Sequence, residues 1–510
     1  MIIHGKFVYE KTNAKPTKIS NALYVKDGII AKIGNYKDLI DRYPDEEIIG
    51  DSQQLVFPGF IDSHSHGGGL SYVQRGETYD YLENALSMIE CAIGIDPALN
   101  SLLNAVKHIK NGCTTVHHNN WVRPFNPNEI ECDNKIIKAY QSTGVRLAFS
   151  VGIRNKNILA YDDRNFLKTL PKYLQQDVEH LVNIDEKSSI EEYFVTFEEL
   201  YRNFNDNDTK IFFGPSWVQG STLDLLLRIK ERADELGKLP IHIHTLQTPI
   251  QKAFGIRVHK KSLVEYLDDI GLLDSNLVLG HGVFLNQQDI ELLANKKASI
   301  THHPSCNLLM RNGIAPIYSL VRSGVNVAMG IDDKGINDNN DPIMEMRMIF
   351  LLHRVSGFDL INTPAFSADD VIKICTENGS SVSGFGHTIG KIEVGRKADI
   401  ILIDSAEILG DPWVNPNANI ANLFVHRAIG HHVNTVIIGG ELVMKDRKIL
   451  TIDVDELYKE VSNSVNSQKS IENQKKEKIF NEIEPYYQKW YNDWLNELEL
   501  EPFYVMNSKI

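Results

Sequence analysis

The chain has 510 residues, 42% hydrophobic and 24% charged, a balance that excludes global disorder. Its 53 lysines and arginines stand against 67 aspartates and glutamates, a formal charge of −14, so no basic excess is available to displace counterions and nucleic acid is not expected as a partner. No run of 18 apolar residues occurs, and Met1-Ile2-Ile3-His4-Gly5-Lys6 lacks the pattern of a secretory signal, so neither membrane insertion nor export is expected.

Residues 1–57 read as short strands and turns, the first part of a small β-domain. Ala22-Leu23-Tyr24-Val25 and Ile29-Ile30-Ala31-Lys32-Ile33 flank Lys26-Asp27-Gly28, and Asp-Gly between apolar runs predicts a hairpin. Residues 58–384 alternate apolar, β-rich runs with helical patterns. Eight runs end near His64, His118, Gly152, Ser216, His244, His281, His303 and Asp332. Between them Asp96-Pro97 signals a capped helix start, with Gly112 as its stop. Ser262-Leu263-Val264-Glu265 is a capping box whose helix ends at Gly271, and Pro316 to Gly324 repeats the pattern. Eight β–α alternations predict a parallel barrel with its chemistry at the C-terminal strand ends. Five of those ends carry histidine and a sixth carries aspartate, which gathers metal-type side chains on one rim.

Residues 385–450 return to strands: Lys391-Ile392-Glu393-Val394-Gly395, Ala398-Asp399-Ile400-Ile401-Leu402-Ile403 and Thr435-Val436-Ile437-Ile438-Gly439-Gly440. They are expected to join the N-terminal strands in one sandwich. Residues 451–510 read as helical, with Ile483, Tyr487, Trp490, Trp494 and Leu498 in one apolar stripe that packs on the barrel or on a sister subunit. That stripe makes a homo-oligomer, a dimer, the expected assembly. The expected fold class is therefore α/β: a (β/α)8 TIM-like barrel, a small β-sandwich domain built from both chain ends, and a C-terminal helical extension. Five scattered cysteines (Cys91, Cys113, Cys132, Cys306, Cys375) without CxxC spacing read as reduced thiols of a cytoplasmic chain.

The strongest local signal is Pro58-Gly59-Phe60-Ile61-Asp62-Ser63-His64-Ser65-His66. Residues i and i+2 of a strand share a face, so His64 and His66 both point into the barrel mouth. Ile241-His242-Ile243-His244 repeats the arrangement, with His244 nearer the rim and His242 one layer deeper, where it packs or hydrogen-bonds. His281 ends the sixth run and Asp332 the eighth. Three histidines and a carboxylate, with a fourth histidine nearby, suit a catalytic divalent metal that keeps a water in its shell.

These four segments, in this order, resemble the amidohydrolase superfamily, and within it the mononuclear heterocycle deaminases and chlorohydrolases of the cytosine/guanine, S-adenosylhomocysteine and triazine type. Gly384 and Gly390-Lys391-Ile392-Glu393-Val394-Gly395-Arg396-Lys397-Ala398-Asp399 resemble that family's return into its small β-domain, and Thr301-His302-His303-Pro304-Ser305-Cys306-Asn307 its seventh-strand loop. The resemblance implies His64, His66, His244 and Asp332 as metal ligands. It implies His281 as the group that orients the reacting water or the substrate's leaving region, and Asp332 as the base that takes the water proton. One ion is expected, Zn2+ first, with Fe2+ or Mn2+ also accommodated. Binuclear relatives use a lysine at the end of the fourth strand; here Lys210 lies at the opposite end of that run. Trp217 and Gln219 follow the fourth run and either touch substrate or pack the loop. Asn307 either binds substrate or orders its loop.

One position departs from the pattern. The family's deaminases carry glutamate three residues after the fifth-strand histidine, to protonate a ring nitrogen; this chain has Gln247. An amide hydrogen-bonds but transfers no proton at neutral pH. General acid catalysis contributes about 10²–10⁴-fold. A metal that lowers a water pKa from about 15.7 to about 7 contributes roughly 12 kcal/mol, so hydrolysis survives the exchange. Substitute acids in the sequence are Asp333, Glu345, His302, His303 and His118, with His302, His303 and Asp333 also taken as substrate contacts. The expected function is metal-dependent hydrolysis of a C–N bond in a small nitrogen heterocycle or related cyclic compound, by attack of hydroxide generated at the metal. The alternatives are hydrolytic dehalogenation on the same scaffold, or a non-catalytic metal-bound ligand-binding protein.

Overall fold

Eight parallel strands form the centre of the computed structural model, which describes residues 1–10, 20–89, 94–120, 129–333, 335–354, 364–467 and 471–498. Numbered along the barrel, they are β1 (Phe60–Ser65), β2 (Cys113–Asn119), β3 (Arg146–Ile153), β4 (Thr209–Pro215), β5 (Ile241–Thr245), β6 (Leu277–His281), β7 (Ser299–His302) and β8 (Asn326–Met329). Each pairs in parallel with the next. The chain after β8 returns to β1: Asp332 N–H donates to the His64 carbonyl at 2.8 Å, and Ile331 N–H to the Asp62 carboxylate at 2.9 Å. This is the expected (β/α)8 barrel.

The strand sequences explain why its interior is polar at one end. In β5, Ile241 and Ile243 enter the apolar core, while the alternate positions, His242 and His244, face the imidazoles inside the barrel. The connecting helices begin where the caps predict. Asp96 accepts from Ala98 and Leu99 at the start of Pro97–Lys110, and Gly112 leaves that helix at φ +90°. Ser262 and Glu265 close a reciprocal capping box on Leu263–Asp269.

The two chain ends meet in a pair of sheets. One holds Ile2–His4, Ala22–Lys26, Ile29–Gly34 and Ile48–Ile49; Lys26 faces Ile29 across the expected Asp27-Gly28 turn. The other pairs Gln54–Pro58 antiparallel with Ile400–Asp404, with Pro58 opposite Ile400. Ile3, Val25, Val56, Ile400 and Ile437 are buried together between them.

Two further helices are α1 (Leu82–Ile89), in the connection after β1, and α2 (Pro342–Leu352), which follows β8. The tail forms Val454–Ser467 and α3 (Ile471–Asn496). Ile483, Tyr487, Tyr491 and Trp494 of α3 are buried in the main core. The Tyr487 hydroxyl donates to the Leu159 carbonyl at 2.9 Å, and the Tyr487 ring stacks on Phe166. The aromatic stripe is thus covered by the chain's own barrel. Among the described residues no helix is long and apolar enough to cross a membrane. Among the described residues Cys113, Cys132, Cys306 and Cys375 form no disulfide with one another, and Cys91 lies outside the described residues.

Candidate metal centre

Side chains from five strand ends converge above the barrel core. Ligand atoms of His64, His66 and His244 lie within 4.8 Å of one another, as do those of His64, His281, His303 and Asp332. Asp332 Oδ1 is 3.2 Å from His66 Nε2 and 3.6 Å from His64 Nε2; Oδ2 is 3.9 Å from His281 Nε2 and 3.8 Å from His303 Nδ1. All are buried except His66, which is partly open.

Hydrogen bonds behind the cluster set the imidazole tautomers. His66 Nδ1 lies 2.8 Å from the Asn119 carbonyl and His244 Nδ1 2.5 Å from the Ser216 carbonyl. A carbonyl only accepts, so each Nδ1 carries a proton, which in the neutral ring puts the lone pair on Nε2. The lone pair of His66 therefore faces a carboxylate oxygen at 3.2 Å. Two electron-rich atoms at that distance repel unless a cation or proton lies between them, and this donor set fits a divalent metal ion. Burial first, and neighbouring imidazoles second, hold His64, His242, His244 and His303 well below the ordinary histidine pKa, in the neutral form that ligates metals.

The supporting groups are just as local. His242, one layer deeper, hydrogen-bonds His64 Nδ1 at 2.8 Å. Asp62, at the same strand parity as His64, accepts from the His64 and Ile331 backbone and from His108 Nε2 at 2.7 Å, tying β1 to the chain after β8. Gly330 is required by this closeness: a Cβ there would meet His303 Cδ2 at 2.5 Å and His64 Cβ at 2.7 Å. His281, Asp332 and Asp333 adopt positive φ values of 74°, 59° and 54°. Left-handed backbone at non-glycine residues costs strain, which the surrounding contacts must hold in place.

The remaining sequence candidates divide. Asn307 Oδ1 lies 3.0 Å from His281 Nδ1, holding that ring. His303 joins the cluster itself, 3.1 Å from His281 Nδ1, whereas His302, on the other face of β7, meets His353 Nε2 at 3.0 Å. Asp333 accepts from Ser65 Oγ, His66 N and Gly68 N and so pins the loop after β1. Trp217 is buried and bridges in parallel register to His244, with Arg154 4.6 Å over its ring. Gln219 is buried and donates to the Tyr161 hydroxyl at 2.8 Å. Gln247 is buried, and its backbone N–H donates to Gln251. Glu345 is fully buried, and both of its oxygens accept, from Ser305 and Ile336; burial raises its pKa to about 8. At the end of β2, His117 faces His242 inside the barrel, while His118 turns toward Tyr140 and Phe149. Register shifts in the β1–β2 pairing accompany this change of parity.

Sequence reasoning did not find Cys306 or Glu83. The Cys306 thiol donates to Asp332 Oδ2 at 2.7 Å. Glu83 lies in the long connection after β1, where no run end or motif marks it.

The model of the amidohydrolase family matches residues 55–443. The 5'-deoxyadenosine deaminase of Methanobrevibacter smithii is 29% identical over 462 residues, covering 88% of this chain and 94% of that one. Among solved structures, a zinc-bound adenosine deaminase from Xanthomonas campestris superposes with a TM-score of 0.73 at 22% identity, covering 92% of this chain and 98% of the other. The zinc complex of an atrazine chlorohydrolase from Arthrobacter aurescens gives 0.75 at 17% identity, covering 91% and 99%. At those identities the two structures speak for the fold; the family match, spanning the barrel and much of the small domain, goes further. The chain belongs to the amidohydrolase family.

Proposed function

We propose that the chain is a metal-dependent hydrolase that removes an exocyclic amino group from the nitrogen heterocycle of a small, nucleoside-like molecule. The observation that carries this reading is the convergence of His64, His66 and His244 with the Asp332 side chain, His64 and His244 being held neutral by burial. The names of the relatives, deaminases of adenosine derivatives, support the substrate class.

His64, His66, His244 and Asp332 would hold one divalent ion, zinc first. When bound, such an ion lowers the pKa of a water from about 15.7 to about 7. Asp332 takes the proton of the attacking water and passes it to the departing nitrogen, which leaves as ammonia. His281, held at Nδ1 by Asn307, presents Nε2 on the Asp332 side, where it steadies the oxygen added to the ring carbon. Trp217, beside His244, forms part of the wall against the substrate.

Dehalogenation is the second reading. Gln247 favours it, because a carbon bearing chlorine needs less activation by ring protonation. Described cysteines that form no disulfide with one another support a cytoplasmic setting. The stripe that pointed to a dimer is occupied within the chain, so we place no subunit interface there. Metal analysis with a panel of adenosine derivatives and chloro-heterocycles tests the proposal. One equivalent of zinc with ammonia release is expected; full activity without metal would overturn it.

A further inference from the structure

We propose that Glu83 is the acid that protonates the substrate's ring nitrogen, the task that Gln247 cannot perform. The assignment rests on the deaminase reading above.

Helix α1 lies in the connection after β1. On one side Leu82 and Ala85 pack with Cys306 and Met310 of the loop after β7, and Cys306 in turn touches Asp332. On the other, the Glu83 carboxyl meets the hydroxyl of Thr248, the residue that follows Gln247. The Glu83 carboxyl is therefore held between the loops after β3 and β5, against the residue next to Gln247, which occupies the position of the family's acid. Glu83 is 5% exposed. Its Oε1 accepts from Thr248 Oγ1 and from the Tyr161 hydroxyl at 3.1 Å, and the Tyr161 oxygen is itself held by Gln219. Oε2 is buried and has no hydrogen-bond partner among the described residues. Two donors on one oxygen leave the other to carry the acid proton. Glu345, also buried, has donors on both oxygens.

Burial raises the Glu83 pKa to about 7, so the group is both acid and base near neutrality. The titratable and charged groups that face it are the Tyr161 phenol and, around that phenol, Tyr491 of α3 and Arg154. Burial pushes both phenols up, so neither is anionic at neutral pH.

The proton balance is complete. Water gives one proton to Asp332 as its oxygen bonds to the amino-bearing carbon. The electron pair of the C=N bond moves to the ring nitrogen, which takes the Glu83 proton. Asp332 then protonates the amino group and the C–N bond breaks, releasing ammonia. The added oxygen gives its remaining proton to Glu83 as the C=O bond forms, and the ring nitrogen keeps the proton it received.

The experiment uses the metal-loaded full chain with 5'-deoxyadenosine and 6-chloropurine ribonucleoside. Glu83→Gln is expected to lower kcat on the amino substrate by about 10²–10⁴-fold, and on the chloro substrate by less, with zinc content and Tm unchanged. Adding Gln247→Glu to that variant returns at least tenfold, which a structural role for Glu83 would not allow. In the wild-type protein kcat falls as pH rises through about 7, and Gln247→Glu moves that limb; this measurement stands even if Glu83→Gln fails to fold. A kcat within threefold of wild type in Glu83→Gln, no recovery in the double variant, or a flat wild-type profile from pH 6 to about 9 would overturn the assignment. A zinc-loaded wild-type protein that releases neither ammonia nor chloride overturns the deaminase reading along with it.

Discussion

His242 Nε2 and His64 Nδ1 share a hydrogen bond of 2.8 Å, one layer below the cluster. This bond orients the His64 ring so that Nε2 faces Asp332. Groups that brace a metal ligand in this way typically account for about 10–100-fold in metal affinity. His242→Phe should weaken zinc binding by that factor, measured by competition with a chelator of known affinity, while His242→Gln recovers part of the loss.

Among the described residues Asp332 is the one carboxylate in the cluster. Asp332→Asn keeps the size and removes the group proposed as the base. It is expected to lower kcat by about 10²–10⁴-fold or more, with the protein folded and the three histidines still binding zinc at reduced affinity. Turnover rates alongside elemental analysis separate loss of chemistry from loss of metal.

Asp333 has a different job, and its replacement should read out differently. Its carboxylate accepts from Ser65 Oγ, His66 N at 2.5 Å and Gly68 N at 2.8 Å. Hydrogen bonds to a charged group contribute about 1.5–3 kcal/mol each. Asp333→Ala should lower Tm and loosen zinc together, because it frees the loop that carries His66. Calorimetry with and without excess zinc checks this, and added metal should restore part of the Tm.

Glu345 sets a pH dependence of stability. Burial raises its folded pKa to about 8, above the ordinary glutamate value of 4.5. Between those two values the unfolded chain loses the proton while the folded chain keeps it, so this group's contribution is full at low pH and is lost as pH rises toward 8. Glu345→Gln removes that titration. The decline of wild-type Tm from pH 5 to about 8 should become shallower in the variant, as followed by thermal melts across that range.

The two-residue period of a strand made His64, His66, His242 and His244 legible, since alternate positions must share an interior. The same period includes Asp62, whose partner His108 comes from a helix and so has no place in a strand pattern. His117 and His118 are neighbours of which one turns inward: register shifts interrupt the pairing of β1 with β2, and neighbouring letters do not record them. His303 entered the cluster because the chain turns sharply after β7, at Pro304. Glu83 was invisible for a further reason. A long connection carries it, and only packing against Cys306 and Thr248 assigns it a place.

The small sandwich has a consequence for synthesis. Pro58 lies opposite Ile400, so its strand waits for a partner made more than three hundred residues later. Until then the ribosome holds a growing polypeptide whose first strands present bare edges, and those edges are open to pairing with other chains. Shortened products that stop at the end of the barrel never receive that partner. They should collect as insoluble material, whereas product that includes Ile400–Asp404 closes that edge.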